Sequence, residues 1–388
     1  MTTEKVCPIG EDIAIYVLPI FAMQYFMGAL VQLKNTALLR IALLPVVLWL
    51  AWRAVSALDF SCGNHEKAQA NAIFVNSTFR NGVPASIPTA FWNAWDLLLN
   101  SRWRRLELPS FETNSRARFL VYAVARAIFC GLAFDAFTET VCTYSPNLGS
   151  WKGDSILDYS LPFVPRYLRA LQILYLAVWL TYFALNWAYY SLAIVCIIVF
   201  RQRPSQWPPL FDRPWLSTSL SDFWGRRWHQ MFRFPLVSCG GVPLAYLFGR
   251  PGGVLGTFMM SAIFHIIELR AVGRGSNIAV QVSFFALNGV GVLLERAWAK
   301  RTGRRLKGSV CGWIWTFSWM ALLALPVVDE WARVGRFAVD RFPGGFKPTM
   351  ALLSLVQLPP GVDNGFVLKC LCFGTSLPFL AYSLFTLS

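Results

Sequence analysis

Histidine is scarce in this chain, and one of its three histidines lies in an apolar stretch. His265 stands about 13 residues after the start of the apolar run 252–269, which at about 1.5 Å per residue places it roughly 20 Å along a helix. An ionisable side chain at such a depth is unfavourable in lipid and marks a candidate functional site. Glu268 follows on the same helical face, close enough to orient or polarise the imidazole. The pair predicts proton-transfer chemistry, while a histidine kept only for a packing hydrogen bond is the alternative.

A second group of candidate residues lies in segment 219–233, which reads SLSDFWGRRWHQMFR. Ser221 or Asp222 can cap a helix that begins here, and Asp222 and Arg226 have the spacing of a helical ion pair. Such a helix has an aromatic face made of Trp224, Trp228 and Phe232, and a polar face made of Arg226, His229 and Arg233. The segment therefore predicts an amphipathic helix at the cytosolic interface, whose cationic face either binds an anionic ligand or only anchors the chain.

Other chemistries lack the residues that they need. The chain contains no HxxxD, GxSxG, GxxxxGK[ST] or HExxH motif, which removes the usual signatures of soluble acyltransferases, serine hydrolases, P-loop proteins and zinc proteases. Nine cysteines are scattered without a CxxC pair, so neither a metal site nor a disulfide framework is indicated. Two overlapping GxxxG spacings within 249–256 favour close helix packing over phosphate binding, because no P-loop lysine follows them.

The composition indicates an all-α, polytopic integral membrane protein. Charged residues make up 14% of the 388, against about 25% in soluble proteins, while hydrophobic residues make up 56%. A soluble fold of this size would not bury the apolar surface of 17 tryptophans and 31 phenylalanines. The net charge of +15 lies in short basic runs beside apolar stretches, without a zinc-finger or basic-zipper pattern. We therefore expect a lipid bilayer, and no nucleic acid, as the partner of these charges.

Runs of about 20 apolar residues predict about eight transmembrane helices. They lie at 13–33, 36–55, 119–141, 168–200, 252–269, 277–294, 310–328 and 366–387. Segment 234–248 is too short to cross and carries two prolines, which favours a re-entrant or interfacial segment. Arg126, Asp135 and Glu139 interrupt the third span, so we expect one side of that helix to face the interior of a bundle. No repeat or linker divides the chain, and one membrane domain is predicted for residues 1–388.

The basic residues also predict the orientation of the chain. Loops 53–118, 201–233 and 296–307 are rich in lysine and arginine, which places all three in the cytosol. Each span moves the chain to the other side of the membrane. All three loops can therefore be cytosolic only if segment 234–248 does not cross the membrane. It puts the N-terminus in the cytosol and leaves the sequon at Asn76 without a glycan, because its loop never reaches the lumen.

Segment 219–230 resembles the signature of the wax-synthase-like branch of the membrane-bound O-acyltransferases. That signature has an Asp-Phe-Trp-x-Arg-Arg-Trp-His core, followed some 35 residues later by an isolated intramembrane histidine, the position that His265 occupies. The resemblance covers about residues 210–300. Many relatives have glutamate directly after this histidine, whereas here Ile266 and Ile267 precede Glu268. In size and tryptophan content the chain is similar to fungal acetyltransferases of this branch that modify terpenoids and meroterpenoids in secondary metabolism.

The resemblance implies transfer of an acyl group from coenzyme A, with acetyl-CoA favoured, to a hydroxyl of a lipophilic terpenoid. His265 would act as the general base and His229 as the oxyanion donor, with Glu268 as the orienting carboxylate. The residues implied in acyl-CoA binding are Asp222, Trp224, Arg226, Arg227, Trp228 and Arg233. No bound cofactor, metal or covalent acyl-enzyme is implied, since acyl-CoA is a co-substrate, and the expected location is the endoplasmic reticulum membrane.

Two alternatives stay open from the sequence. A long-chain acyltransferase that makes wax or sterol esters would use the same scaffold, because acyl chain length depends on the volume of a tunnel. A membrane transporter would instead use His265 as a proton relay. Transporters often contain structural repeats, in which a broken helix of one repeat has a counterpart in the other. In this chain the short interrupted segment 234–248 has no such counterpart.

Overall fold

The computed structural model describes residues 12–32, 36–58, 115–271, 277–303, 308–338, 342, 345–356, 359 and 362–374. The regular elements of these residues are helices. The predictions for Asn76 and for most of loop 53–118 lie outside the described residues, as does the part of the last predicted span that follows Gly374.

The helices agree with the predicted class of fold. In chain order they are α1 (Leu18–Gln32), α2 (Ala37–Ala57), α3 (Arg116–Cys142), α4 (Phe163–Val199), α5 (Leu220–Asp222), α6 (Arg233–Leu236), α7 (Val242–Ala271), α8 (Ile278–Thr302), α9 (Val310–Arg333), α10 (Pro348–Ser354) and α11 (Asn364–Gly374). Among the described residues, five helical stretches are long and apolar enough to cross a membrane: α3, α4, α8, α9 and Val237–Arg270, which contains most of α7. The chain is an all-α, polytopic membrane protein, and the total of about eight spans stays a prediction.

Helix α3 packs along α4, and their contact forms most of a hydrophobic core, to which the end of α9 also contributes. Its fully buried members include Cys130, Val141, Ala170, Ile173 and Leu176. The small residues let the two helices approach closely, as expected for helices that associate in lipid, where packing replaces the hydrophobic effect as the driving force.

The charged residues in the middle and at the end of α3, Arg126, Asp135 and Glu139, are partly or fully buried, as the sequence predicts. Asp135 is fully buried and accepts a hydrogen bond from the backbone N–H of Thr349 at 2.9 Å. Glu139 lies 3.1 Å from the Nζ of Lys347 in an ion pair, and the guanidinium of Arg126 lies over a tyrosine ring of α4. Each charge therefore has a compensating partner, which is what permits it on an apolar helix.

The chain divides into two compact units. The first unit holds the described parts of Met1–Glu107, Met231–Pro235 and Ile263–Ser276, and therefore contains α1, α2 and His265. The second unit holds Leu108–Gln230, Leu236–Ala262 and Asn277–Ser388, and therefore contains His229. The single membrane domain over residues 1–388 stays a prediction.

A helical hairpin follows α6 within the second unit. Gly249 has φ of 66° and ψ of −162°, a conformation that only glycine adopts easily, and it reverses the chain inside α7. A Cβ added to Gly240 would stand 2.2 Å from the carbonyl oxygen of Gly256, and one added to Gly252 would stand 2.4 Å from that of Leu244. The two arms therefore run antiparallel with their backbones in contact. This confirms the prediction that the GxxxG spacings serve close helix packing. The chain also reverses direction directly after segment 234–248, as a re-entrant segment requires.

Substitution of Gly240 by alanine should open this hairpin. The added methyl would overlap the backbone of the other arm, which cannot move as a flexible side chain does, so we expect a loss of about 1–3 kcal/mol of stability. Thermal denaturation in detergent, followed by size-exclusion chromatography, measures the effect. Gly374→Ala is the matched control, because, apart from the adjacent helix backbone, none of the described residues has an atom within 4 Å of the position of its Cβ. Equal thermal stability of the two variants would contradict the close backbone contact.

Candidate active site

The segment that carries the predicted signature is a short, wide turn. Ser219 caps its start, because its Oγ accepts a hydrogen bond from the N–H of Asp222 at 3.0 Å. Helix α5 passes into a π-helical turn, Phe223–Arg227, which ends at Trp228, where the backbone becomes extended. The prediction of a continuous amphipathic helix over 220–233 is therefore wrong in its extent. We call Leu220–Arg227 the signature turn.

Asp222 explains why the turn is wide. Its Oδ1 accepts from the Nε of Arg226 at 2.9 Å and its Oδ2 accepts from the Nε of Arg227 at 2.6 Å. The N–H of Trp228 bonds to the carbonyl of Phe223 at 2.8 Å, five residues back instead of four. This π-type bond widens the turn, so that both arginines reach one carboxylate. The predicted pairing of Asp222 with Arg226 is confirmed, and Arg227 is a second partner.

The two arginines hold Asp222 in its ionised form. Burial alone would raise the pKa of this carboxyl group, but the hydrogen bonds from Arg226 and then Arg227 outweigh burial and keep the pKa below its ordinary value. A carboxylate with a lowered pKa in the folded state stabilises the protein above its unfolded-state pKa of about 3.9. That contribution is lost as the pH falls through the lowered value.

The adjacent arginines differ in exposure. The side chain of Arg227 is 12% exposed, and its guanidinium also donates to the carbonyl oxygens of Asp212 and Arg213 at 3.1 and 3.2 Å. The side chain of Arg226 is 44% exposed, and its second acidic neighbour is Asp212 at 3.6 Å. Arg227 therefore ties the turn to the preceding loop, whereas Arg226 presents positive charge at the surface. Their shared role in binding phosphate stays a prediction, and the geometry favours Arg226 for it.

The signature tryptophans are partly buried and pack against different partners. The indole N–H of Trp224 donates to the Oδ1 of Asn288 at 3.1 Å, and its ring meets Phe258 edge-on with centroids 5.8 Å apart. Trp228 instead stacks on Phe223, with centroids 5.3 Å apart and planes at 15°. The helical spacing that predicted one aromatic face with Phe232 ends at Arg227, and a shared lipid-facing surface stays a prediction. The contacts of the two indoles stabilise the turn.

His229 follows directly after the turn. Its ring centroid lies 5.6 Å from that of Trp228 and 6.1 Å from that of Phe211, which it meets edge-on. The imidazole is partly buried. A hydrogen-bond donor that is partly buried beside aromatic rings is suited to stabilising an oxyanion.

His265 and Glu268 form a pair within the first unit. The Nδ1 of His265 lies 3.2 Å from the Oε2 of Glu268, and the ring of Phe264 meets the imidazole edge-on at 5.8 Å. The predicted contact is thus confirmed, because residues three apart on a helix lie on one face. A neutral imidazole that donates from Nδ1 to this carboxylate has its basic lone pair on Nε2. Arg233, the other cation predicted to meet phosphate, is also in this unit and is exposed.

Both histidines lie within a stretch shared with known enzymes. Residues 207–287 match the family model of the membrane bound O-acyl transferase family, and that stretch includes the signature turn, His229 and His265. In this stretch, about a fifth of its length, the chain is similar to the membrane bound O-acyl transferase family.

Three known proteins illustrate the range of relatives to which the chain is similar. The chain is 26% identical to an acetyltransferase of Aspergillus fumigatus over 34% of this chain and 27% of that protein. It is 27% identical to an acyl-CoA–sterol O-acyltransferase of Arabidopsis thaliana over 65% of this chain and 81% of that protein. It is 26% identical to an acetyltransferase of Calcarisporium arbuscula over 56% of this chain and 58% of that protein. The matches thus span less than two thirds of the two acetyltransferases.

Two residues that contact the signature turn were not predicted from the sequence. Asn288 and Glu295, both from α8, accept hydrogen bonds from the signature turn. The sequence contains only a weak indication of them: a buried amide and a buried carboxylate on an otherwise apolar helix need hydrogen-bond partners. Their partners are about 70 positions away in the chain, and no local pattern reveals such a contact.

Proposed function

We propose that this protein is an acyl-CoA-dependent O-acyltransferase, and that it transfers an acetyl group to a hydroxyl of a lipophilic terpenoid or meroterpenoid. The single observation that carries the proposal is the pair of His265 and Glu268 on an apolar helix inside the family segment. A histidine held by a carboxylate is the arrangement that general-base catalysis needs.

The proposed chemistry needs one base and one oxyanion donor. An alcohol is a poor nucleophile at neutral pH, so the Nε2 of His265 removes its proton as the oxygen attacks the thioester carbonyl. Glu268 holds the imidazole in the correct tautomer and stabilises the imidazolium that forms. His229 donates to the developing oxyanion. Collapse of the tetrahedral intermediate breaks the C–S bond, and His265 returns its proton to the departing thiolate of coenzyme A.

Donor binding is proposed for exposed cations of the segment 220–233. Arg226 and Arg233 are the exposed cations that would attract the phosphates of coenzyme A. Asp222, Trp224 and Trp228 would act by holding the turn that presents Arg226. In this proposal the loop carrying the turn is cytosolic, where acyl-CoA is available, and the protein resides in the endoplasmic reticulum membrane.

The proposal predicts the outcome of a donor and acceptor panel. Membranes that contain the protein should acetylate terpenoid alcohols from acetyl-CoA, whereas a matched His265→Ala preparation should not. The names of two relatives favour acetyl transfer, and the sterol O-acyltransferase favours the alternative of a long-chain acyl donor. Faster transfer from a long-chain acyl-CoA to a sterol or fatty alcohol would select that alternative. An absence of transfer from every donor would overturn the assignment as an acyltransferase.

A further inference from the structure

Three buried polar residues follow one face of α8 at intervals of seven: Gln281, Asn288 and Glu295. Two helical turns separate consecutive members, so their side chains lie along the same face. Burial of a polar group is costly unless it is hydrogen-bonded. Each of the three has a partner on another part of the second unit, and for Asn288 and Glu295 that partner is the signature turn.

Glu295 holds the start of the turn. Its Oε1 accepts from the backbone N–H of Leu220 at 2.6 Å and its Oε2 accepts from that of Ser221 at 3.0 Å. The indole N–H of Trp315, on α9, also donates to Oε1 at 3.0 Å. The first N–H groups of a helix have no partner within the helix, so this buried carboxylate satisfies them with charge-assisted bonds.

Asn288 holds the middle of the turn, one heptad earlier on the same face of α8. Its Oδ1 accepts from the indole of Trp224 at 3.1 Å, and its Nδ2 donates back to the carbonyl of Phe284 at 2.8 Å, which fixes the orientation of the amide. The turn is therefore attached to α8 at two points, about 10 Å apart along the helix axis by its rise of about 1.5 Å per residue.

We propose that Glu295 and Asn288 are positioning residues for the acyl donor, which act by fixing the place of the signature turn and thus of Arg226. This inference rests on the proposed function, because it assigns the turn to donor binding. Displacement of a binding group by about 1 Å is enough to weaken a bound geometry strongly. Loss of either attachment should therefore weaken binding of the acyl donor more than binding of the acceptor alcohol.

Glu295→Gln tests the inference. The variant keeps the shape of the side chain but turns one acceptor oxygen into an N–H donor that faces N–H groups. We expect the apparent KM for acetyl-CoA, and the Kd of a non-hydrolysable acyl-CoA thioether, to rise at least about tenfold, while the KM for the alcohol changes less than about twofold. Amide hydrogen exchange should accelerate in a peptide that covers 219–228.

Glu330→Gln is the matched control. Glu330 has the same exposed fraction, 8%, and likewise accepts from a backbone N–H, that of Asn277, and from a side chain, the Nε2 of Gln281 at 2.6 Å. Among the described residues, the hydrogen bonds of its side chain go to Asn277 and Gln281 and not to the signature turn, so its loss should lower thermal stability without raising the Kd of the thioether. Trp315→Phe removes one donor to Glu295 and serves if Glu295→Gln fails to insert, with an expected rise of about threefold in that Kd.

Three results would overturn the inference. The first is unchanged exchange across 219–228 in Glu295→Gln. The second is accelerated exchange with an unchanged Kd for the thioether. The third is an equal rise of the Kd in Glu330→Gln, which would mean general loosening of the unit. A wild-type protein that binds the thioether but transfers nothing would count against the proposed function alone, since binding and exchange test the positioning role without catalysis.

Discussion

Replacement of His265 by alanine is expected to lower the rate of acyl transfer by about 10² to 10⁴, the usual effect of removing a general base. The protein should still insert into membranes and bind an acyl-CoA thioether, because the proposed donor contacts lie at the signature turn. Single-turnover assays with acetyl-CoA and a terpenoid alcohol, together with thioether binding, measure both quantities. The expected signature is a fall in kcat with little change in donor affinity.

Two further variants separate the roles around this histidine. Glu268→Gln should reduce turnover less than His265→Ala, because an amide still orients the ring and loses only the stabilisation of the imidazolium. His229→Ala should reduce turnover through loss of an oxyanion donor, by about 10² or more. If a well-folded His265→Ala protein keeps most of its activity, His265 is not the base, and His229 becomes the candidate.

The histidine pair was accessible from the sequence because it depends on local geometry. An apolar run of helical length determines the helix, and the helical repeat then places Glu268 beside His265 even though two isoleucines separate them. The buried charges of α3 follow from the same kind of argument, since a charge on an apolar helix must have a partner. The identity of the partner, such as Lys347 for Glu139, depends on the packing of distant segments and had no local signal.

The shape of the signature turn could not be predicted from local sequence geometry. Periodicity predicts a regular helix over 220–233, but the two bonds of Asp222 favour a π-helical turn that stops at Arg227. Contacts with other segments, including the bonds of Glu295 on α8 to the start of the turn, add to these bonds. Propensity and periodicity describe only the segment itself, and tertiary contacts override them here.

Replacement of Arg227 by alanine should destabilise the protein by about 3 to 5 kcal/mol, because it leaves the buried carboxylate of Asp222 with one partner fewer and removes the bonds to two loop carbonyls. Replacement of Arg226 by alanine should cost less than about 1 kcal/mol, since its charge is half exposed and screened by water. The temperature at which monodisperse protein is lost in detergent ranks the two variants.

The same two variants distinguish a structural role of an arginine from a role in donor binding. Arg226→Ala should retain its fold and raise the apparent KM for acetyl-CoA, while the KM for the alcohol stays constant, because the exposed guanidinium is the one available to a phosphate. Arg227→Ala should lose folded protein before any kinetic change is measured. Equal stability of the two variants would show that Arg227 does not tie the turn to its loop. An unchanged donor KM in Arg226→Ala would leave the turn as an anchor and move the phosphate site to other cations, of which Arg233 is the first to test.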